Sequence, residues 1–114
     1  MVTLDEKRKI HAKNLEKAVQ EILKKFSDKA ERISIFGSYA RGRRDLFTDL
    51  DVLIIMKSNK PFLERLREIY SILDLKVDAD ILWYTPEEFE RIKDKPFFKR
   101  VLKEEVVLFE RKSN

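Results

Sequence analysis

Apolar residues recur at three- and four-residue spacing in the first quarter of the chain and predict an amphipathic helix. Thr3 and Glu6 have the spacing of a capping box, in which the two side chains satisfy free amides at a helix start. The opposite face is rich in lysine and glutamate, as expected for a solvated surface. The apolar stripe consists of Leu15, Val19, Ile22 and Phe26. We expect this helix to run to about Lys29.

Four shorter apolar stretches predict β-strands. They cover residues 33–36, 51–56, 77–84 and 106–109. The second stretch is apolar without interruption after Asp51, which is typical of a strand covered on both faces. We therefore expect it to lie in the centre of a sheet.

Helical signals separate these strands. Helices are expected over residues 38–42, 61–73, 86–92 and 96–103. Pro61 opens the second of them, and Thr85 followed by Pro86 and Glu88 gives the third an N-cap, a proline at its first position and a capping box. Because strands and helices alternate, the pattern predicts an α/β (α+β) fold, with a small sheet flanked by helices.

The length of 114 residues fits a single domain covering residues 1–114. No apolar run approaches the roughly 18 residues that cross a bilayer, and residues 1–8 lack the apolar core of a signal peptide. We therefore expect no membrane partner and a cytoplasmic location. The absence of cysteine excludes a disulfide framework and a zinc–thiolate site.

Charged residues make up 40% of the chain, and the net charge is +4. Basic and acidic residues are intermixed, which is typical of a solvated surface, so nucleic acid is not expected as a partner. Abundant lysine and glutamate, combined with few asparagines and glutamines, resemble the composition of hyperthermophile proteins. A thermophilic source is therefore expected.

The chain contains only two glycines, Gly37 and Gly42, and both lie in one short segment that follows the first strand. Gly37 permits a sharp backbone turn, and Ser38 begins a helix whose free amides and dipole favour an anion. Gly42 is expected to end this helix with a positive φ. A glycine–serine pair after a strand is also found in ordinary turns, so it does not identify a site by itself.

Two pairs of aspartates stand close to predicted strands. Asp49 and Asp51 are one residue apart, so alternation places both on one face, where they could bind divalent ions. Asp78 and Asp80 have the same spacing before an apolar run. If their strand lies beside that of Asp51, one of them completes a set of three carboxylates. Each pair could instead be solvated at a strand start.

Together these elements resemble the DNA polymerase β-type nucleotidyltransferases, and within them the minimal nucleotidyltransferases of bacteria and archaea. The resemblance rests on Gly37-Ser38-Tyr39-Ala40-Arg41-Gly42 followed by Thr48-Asp49-Leu50-Asp51. The commonest family form has serine where this chain has Thr48. The order of helices and strands agrees along nearly the whole chain. The resemblance implies the polymerase β-type fold, a mixed sheet flanked by helices.

The resemblance also implies roles for individual residues. Gly37 and Ser38 would hold the phosphates of a nucleoside triphosphate, with Arg41 adding positive charge. Asp49 and Asp51 would bind two Mg²⁺ ions. The third acid would bind one ion and help to deprotonate the acceptor hydroxyl; Asp80 fits that position best, and Asp78 is the alternative.

The implied reaction is transfer of a nucleoside monophosphate, AMP from ATP, to a hydroxyl group. In this family the common partner is a helical toxin of the HEPN type, the reported acceptor is one of its tyrosines, and the transferase acts as the antitoxin. One alternative is a non-catalytic module that neutralises its partner by contact. Another is a transferase that acts on RNA or on a small molecule.

The remaining polar and aromatic residues carry weaker signals. His11 is expected on the surface, Tyr39 packed in the protein, and Trp83 and Tyr84 in the core or an interface. Arg43 and Arg44 either are solvated or contact phosphates or an acidic partner. Four apolar residues could form a homodimer interface, although burial in the core explains them more simply. They are Phe97, Phe98, Val107 and Phe109.

Overall fold

A computed structural model of the chain describes residues 1–112. Its helices are α1 (Leu4–Phe26), α2 (Gly37–Ala40), α3 (Phe62–Ile72), α4 (Pro86–Ile92) and α5 (Pro96–Glu104). Its strands are β1 (Arg32–Phe36), β2 (Leu50–Ile55), β3 (Ala79–Tyr84) and β4 (Val106–Glu110). The predicted elements are all present, with ends that differ by a few residues.

The strands form a mixed sheet in the order β3-β2-β1-β4. β1 is antiparallel to both β2 and β4, whereas β2 and β3 run parallel. β2 is therefore an inner strand, as its apolar run predicted. Alternate residues of β2 belong to two apolar clusters: Val52 packs in one, and Leu53 packs in the other. The sheet is thus covered on both faces, which confirms the predicted fold class.

The larger cluster joins α1 to one face of the sheet through Leu15 and Ile22, which are almost completely buried. Val101 of α5 packs against the other face, next to Leu53 and Ile55. Aromatic rings extend this second cluster: Phe98 meets Tyr84 edge to face, with ring centroids 5.4 Å apart. The two layers of helices therefore hold the strands in a fixed register.

Side-chain caps are found at the two helix starts where the sequence predicted them. Thr3 accepts a hydrogen bond from the Glu6 amide at the start of α1. At the start of α4, the Thr85 side chain accepts from the Glu88 amide, and the Glu88 carboxylate accepts from the Thr85 amide. The second pair is a complete capping box, so local sequence is sufficient to begin this helix after β3.

An ion pair with a buried arginine joins α3, β3 and α4. The guanidinium of Arg65 donates two hydrogen bonds of 2.7 Å to the carboxylate of Glu88. It also donates to the carbonyls of Trp83 and Lys60. The Arg65 side chain is only 4% exposed, so these protein groups, and not water, compensate its charge. Together these bonds attach α3 to α4 and to β3, which is one of the two outer strands of the sheet.

The first residues of α1 extend beyond the sheet. Residues 4–10 are all exposed, and full burial along α1 begins only at Leu15. The molecule measures 50 Å in its longest direction and 28 Å in the other two. None of the helices in residues 1–112 combines the length and the apolar composition needed to cross a lipid bilayer.

Candidate functional site

The sequence-predicted residues meet at one end of the sheet, where β1 ends and β2 and β3 begin. Asp51 of β2 lies opposite Phe36, the last residue of β1, and on its other side it lies opposite Asp80 of β3. Gly37 follows Phe36 directly and starts α2. Asp51 therefore stands between the glycine–serine turn and the second acidic strand.

Gly37 is held closely against Asp51. Its φ of +72° lies in the left-handed region, which glycine adopts without steric cost. A Cβ added there would overlap the Asp51 Oδ2 atom and stand 3.1 Å from Asp51 Cγ. From the sequence, this glycine is expected where a phosphate approaches the backbone. The structure adds a second requirement, because any side chain at position 37 would displace the Asp51 carboxylate.

Gly42 differs from Gly37 in its surroundings. It has the expected positive φ, +99°, and its amide donates to the Tyr39 carbonyl at the end of α2. A Cβ added at Gly42 would meet no atom within 4 Å among the described residues. Its role is therefore conformational, as the sequence predicted.

Burial and neighbouring charges act together on Asp51. Partial burial is the main cause that raises the pKa of its carboxyl group, and the negative charges of Asp80 and Asp49 raise it further. The positive charge of Arg41 acts in the opposite direction. Asp49 and Asp80 are both exposed. The charges of the two other acids of the predicted group thus act on Asp51.

The parallel pairing of β2 and β3 separates Asp80 from Asp78. Asp80 lies in β3 directly beside Asp51, whereas Asp78 precedes the strand. The carbonyl of Asp78 accepts a hydrogen bond from the Leu50 amide, which starts the pairing of the two strands. This register supports Asp80 as the third acid of the group.

The residue types of this group fit a divalent cation, although their side chains are not gathered around one point. Within residues 1–112, no three acidic or histidine side chains are arranged so that they could hold an ion as they stand. Carboxylate oxygens are the ligands that Mg²⁺ prefers, and a cation would offset the repulsion that, together with burial as the main cause, raises the pKa of Asp51. Asp49, Asp51 and Asp80 are the residues that would bind it.

The arginines near the turn differ in their contacts. Arg41 is exposed and lies 3.3 Å from the Glu104 carboxylate of α5. Arg43 pairs with Asp45, and this pairing raises the pKa of the Arg43 guanidinium. Arg44 stacks 3.6 Å above the ring of Tyr39 and donates to the Tyr39 carbonyl. The buried Tyr39 is therefore a packed residue, as predicted, and Arg44 covers it.

Two side chains reach the backbone beside the acids, and the sequence analysis missed both contacts. His11, expected to be a surface residue, is half-buried, and its Nε2 lies 2.9 Å from the carbonyl oxygen of Thr48, next to Asp49. Tyr70 of α3 hydrogen-bonds the backbone on both sides of Asp80. Neither contact has a signal in the local sequence, because each joins residues brought together only by the fold.

An apolar groove opens beside Asp51 and Asp80, between α3 and α5. Its volume is about 530 Å³. Its walls are mostly aromatic and aliphatic, and its lining residues are Phe36, Gly37, Asp51, Phe62, Leu66, Tyr70, Asp80, Ile81, Leu82 and Phe97. A flat apolar group bound in this groove would therefore lie next to two of the acids.

Comparisons with known proteins agree with this arrangement. The family model described as a nucleotidyltransferase domain matches residues 13–109. A relative from Methanocaldococcus jannaschii, named "Putative protein adenylyltransferase MJ0141", is 41% identical over 68 residues. That alignment covers 58% of this chain and 66% of the relative, a little under two thirds of its length.

Solved structures show the same fold. A crystal structure from Sulfolobus solfataricus, described as a "putative nucleotidyltransferase", has a TM-score of 0.54 and 24% identity. That alignment covers 95% of this chain and 87% of the other. A mutant of the toxin–antitoxin MntA-HpeT has a TM-score of 0.55 and 19% identity, and covers 85% of this chain and 73% of the other.

Proposed function

Since this chain belongs to the nucleotidyltransferase domain family, we propose that it transfers AMP from ATP to a hydroxyl group of a partner protein. The name of the M. jannaschii relative supports adenylyl as the transferred group and a protein as the acceptor. The observation that carries the proposal is the position of Asp51, between the Gly37 turn and Asp80. Phosphates held at the turn and a hydroxyl group near Asp80 would meet at Asp51.

The chemistry is a displacement at the α-phosphorus of ATP. The acceptor oxygen forms a bond to this phosphorus while the bond to the oxygen bridging the α- and β-phosphates breaks, and pyrophosphate leaves. The proton of the acceptor hydroxyl passes to the Asp80 carboxylate. Divalent ions bound by Asp49, Asp51 and Asp80 would supply positive charge for the phosphates and for the developing alkoxide.

The residues of the turn have separate parts in this proposal. Ser38 lies at the start of α2, where backbone amides and the helix dipole favour phosphate oxygens. Arg41 follows that helix directly; its guanidinium is exposed and would exchange its contact with Glu104 for one with the same phosphates. Gly37 leaves room for Asp51 beside the turn. The phosphates and the carboxylates therefore share one small region.

We further propose that the partner is a HEPN-type toxin, that a tyrosine of this toxin is the acceptor, and that the chain is its antitoxin. The fold shared with a chain of the toxin–antitoxin MntA-HpeT supports a toxin as the partner. The apolar groove beside Asp51 and Asp80 would accommodate the acceptor ring, with its hydroxyl group directed at the acids.

The test combines the purified chain, Mg²⁺, ATP and the protein encoded in the adjacent reading frame. ATP labelled at the α-phosphate should leave label on the partner, whereas ATP labelled at the γ-phosphate should not. The label should disappear with Asp51→Asn and Asp80→Asn. Asp78→Asn is the matched control, because it changes an exposed acid two residues from Asp80, and it should retain transfer.

Other outcomes would contradict parts of the proposal. Neutralisation of the toxin by Asp51→Asn, with no label transferred even by the unchanged chain, would favour a module that acts by contact. Transfer that is lost with Asp78→Asn and kept with Asp80→Asn would exchange the assignments of these two acids. Label on RNA instead of protein would identify a different acceptor class.

A further inference from the structure

Tyr70 occupies an unusual position at the outer edge of the sheet. β3 is the edge strand on this side, so the outward-facing peptide groups of its first residues have no neighbouring strand with which to pair. The Tyr70 hydroxyl donates to the Ala79 carbonyl over 2.8 Å and accepts from the Ile81 amide over 3.0 Å. The Tyr70 hydroxyl oxygen thus satisfies two peptide groups that a further strand would otherwise pair with.

These two peptide groups stand on either side of Asp80. In a strand, the amide and carbonyl of one residue point to the same edge, and those of its neighbours point to the opposite edge. The peptide groups of Asp80 therefore face β2, while those held by Tyr70 face outward. The backbone of Asp80 is fixed from both edges, once by the sheet and once by the Tyr70 hydroxyl.

Burial does not impose this arrangement. Tyr70 is 44% exposed, so water could satisfy its hydroxyl group and both peptide groups. The rest of α3 is anchored independently, by the Arg65–Glu88 pair and by Ile69 in the core. The hydrogen bonds of Tyr70 are consequently not needed to attach the helix, and their specific effect is on β3 at Asp80.

We propose that Tyr70 is a positioning residue that fixes the backbone of Asp80 beside Asp51, so that the Asp80 carboxylate can join Asp51 in cation binding and transfer. This inference rests on the proposed function, because Asp80 is one of the acids assigned there. Residues that support metal ligands typically change metal affinity or activity by about 10- to 100-fold when they are removed. Loss of the hydroxyl group should have an effect at the lower end of that range.

The test uses Tyr70→Phe, which keeps the ring and removes only the hydroxyl group. Tyr84→Phe is the matched control, since it removes a hydroxyl group at the far end of the same strand. The first measurement is hydrogen exchange of the Ile81 amide without added metal. Exchange should be at least about 10-fold faster in Tyr70→Phe than in the unchanged chain, and unaffected in Tyr84→Phe.

The second measurement is binding of Mn²⁺, used as a spectroscopic probe, together with the kcat and KM of transfer. Tyr70→Phe should weaken Mn²⁺ binding by about 10-fold and lower kcat by a similar factor, with little change in the KM for ATP. Circular dichroism and the melting temperature of each variant show whether it is folded.

The inference and the proposed function can fail separately. Unchanged Mn²⁺ binding and kcat in a folded Tyr70→Phe would overturn the role of Tyr70, whether or not the unchanged chain transfers AMP. Unchanged exchange of the Ile81 amide would do the same. If the unchanged chain shows no transfer but Tyr70→Phe still weakens Mn²⁺ binding, the positioning role stands and the proposed reaction is wrong.

Discussion

At the scale of single residues, the closest contact in the site joins a glycine to an acid. Asp51 Oδ2 occupies the space that a Cβ of residue 37 would need, so the carboxylate position depends on the absence of a side chain in the turn. Gly37 and Gly42 share a positive φ but differ in the space around them. Because of this difference, substitutions at the two positions can separate the effect of conformational strain from the effect of displacing Asp51.

Alanine at the two glycine positions should therefore have different effects. Each substitution places an L-residue in a left-handed conformation, which costs about 1–2 kcal/mol of folding free energy. Gly37→Ala should in addition move Asp51 and reduce Mn²⁺ binding by at least about 10-fold. Gly42→Ala should lower stability with Mn²⁺ affinity nearly unchanged. Urea unfolding and Mn²⁺ titration measure the two effects, and equal loss of affinity in both variants would contradict this account.

At the scale of elements, the Arg65–Glu88 pair connects α3, which carries Tyr70, to α4, and Arg65 also donates to the Trp83 carbonyl of β3, the strand that carries Asp80. Hydrogen bonds from the Arg65 guanidinium and the Thr85 amide stabilise the charged form of Glu88 and lower the pKa of its carboxyl group to about 2. The remaining charge of Arg65 is compensated by backbone carbonyls. Protonation of Glu88 would leave the buried guanidinium without its counter-ion.

This pair should make stability depend on pH in the acid range. The folded-state pKa of Glu88 lies below its ordinary value of 4.5, so the unfolded chain binds more protons between these values. The contribution of Glu88, on the order of 2 kcal/mol once screening by solvent is allowed for, is present above about pH 4.5 and is lost as the pH falls towards 2. Urea unfolding between pH 7 and pH 2 measures it.

Two variants isolate the contribution of Glu88. Glu88→Gln should be less stable at pH 7 and should lose less stability on acidification than the unchanged chain. Glu87→Gln is the matched control, since it removes an exposed acid from the same helix turn and should keep the acid-dependent loss. The same loss in Glu88→Gln as in the unchanged chain would show that other carboxyl groups control acid unfolding.

The elements also show what local sequence can and cannot predict. The capping box at Thr85, the apolar run of β2 and the positive φ of Gly42 were predictable, because each is determined by residues close in sequence. The pairing of Asp51 with Asp80 could be predicted only if β2 and β3 were assumed to be neighbours, and local sequence does not determine which strands become neighbours. The contacts of His11 and Tyr70 could not be predicted at all, because His11 meets a backbone group 37 residues away and the edge of β3 exists only in the fold.

At the scale of the whole molecule, charge is distributed over most of the surface. Ion pairs such as Lys9–Asp5 and Lys60–Glu68 are exposed, and single pairs of this kind contribute little at room temperature. Networks of charge become more favourable at high temperature, because the cost of removing water from charged groups falls. The 40% charged composition is therefore consistent with a protein adapted to heat.

The melting temperature should lie above the range of about 45–65 °C that is typical of mesophile domains. Scanning calorimetry at low and at 1 M salt measures this value and the share that is due to surface charge, which salt screens. A melting temperature within the mesophile range at low salt would contradict the interpretation of the composition.

The strand order has a consequence for the synthesis of the chain. The acids and the glycine turn of the candidate site lie between the end of β1 and the start of β3, whereas β4 covers the outer edge of β1 and follows it by about 70 residues. At a translation rate of roughly 5–20 residues per second, several seconds pass between the synthesis of β1 and that of β4, the strand that pairs with its outer edge. During that time the outer edge of β1 is an unpaired strand edge, and such an edge can pair with another chain, for example a second nascent chain on the same messenger RNA.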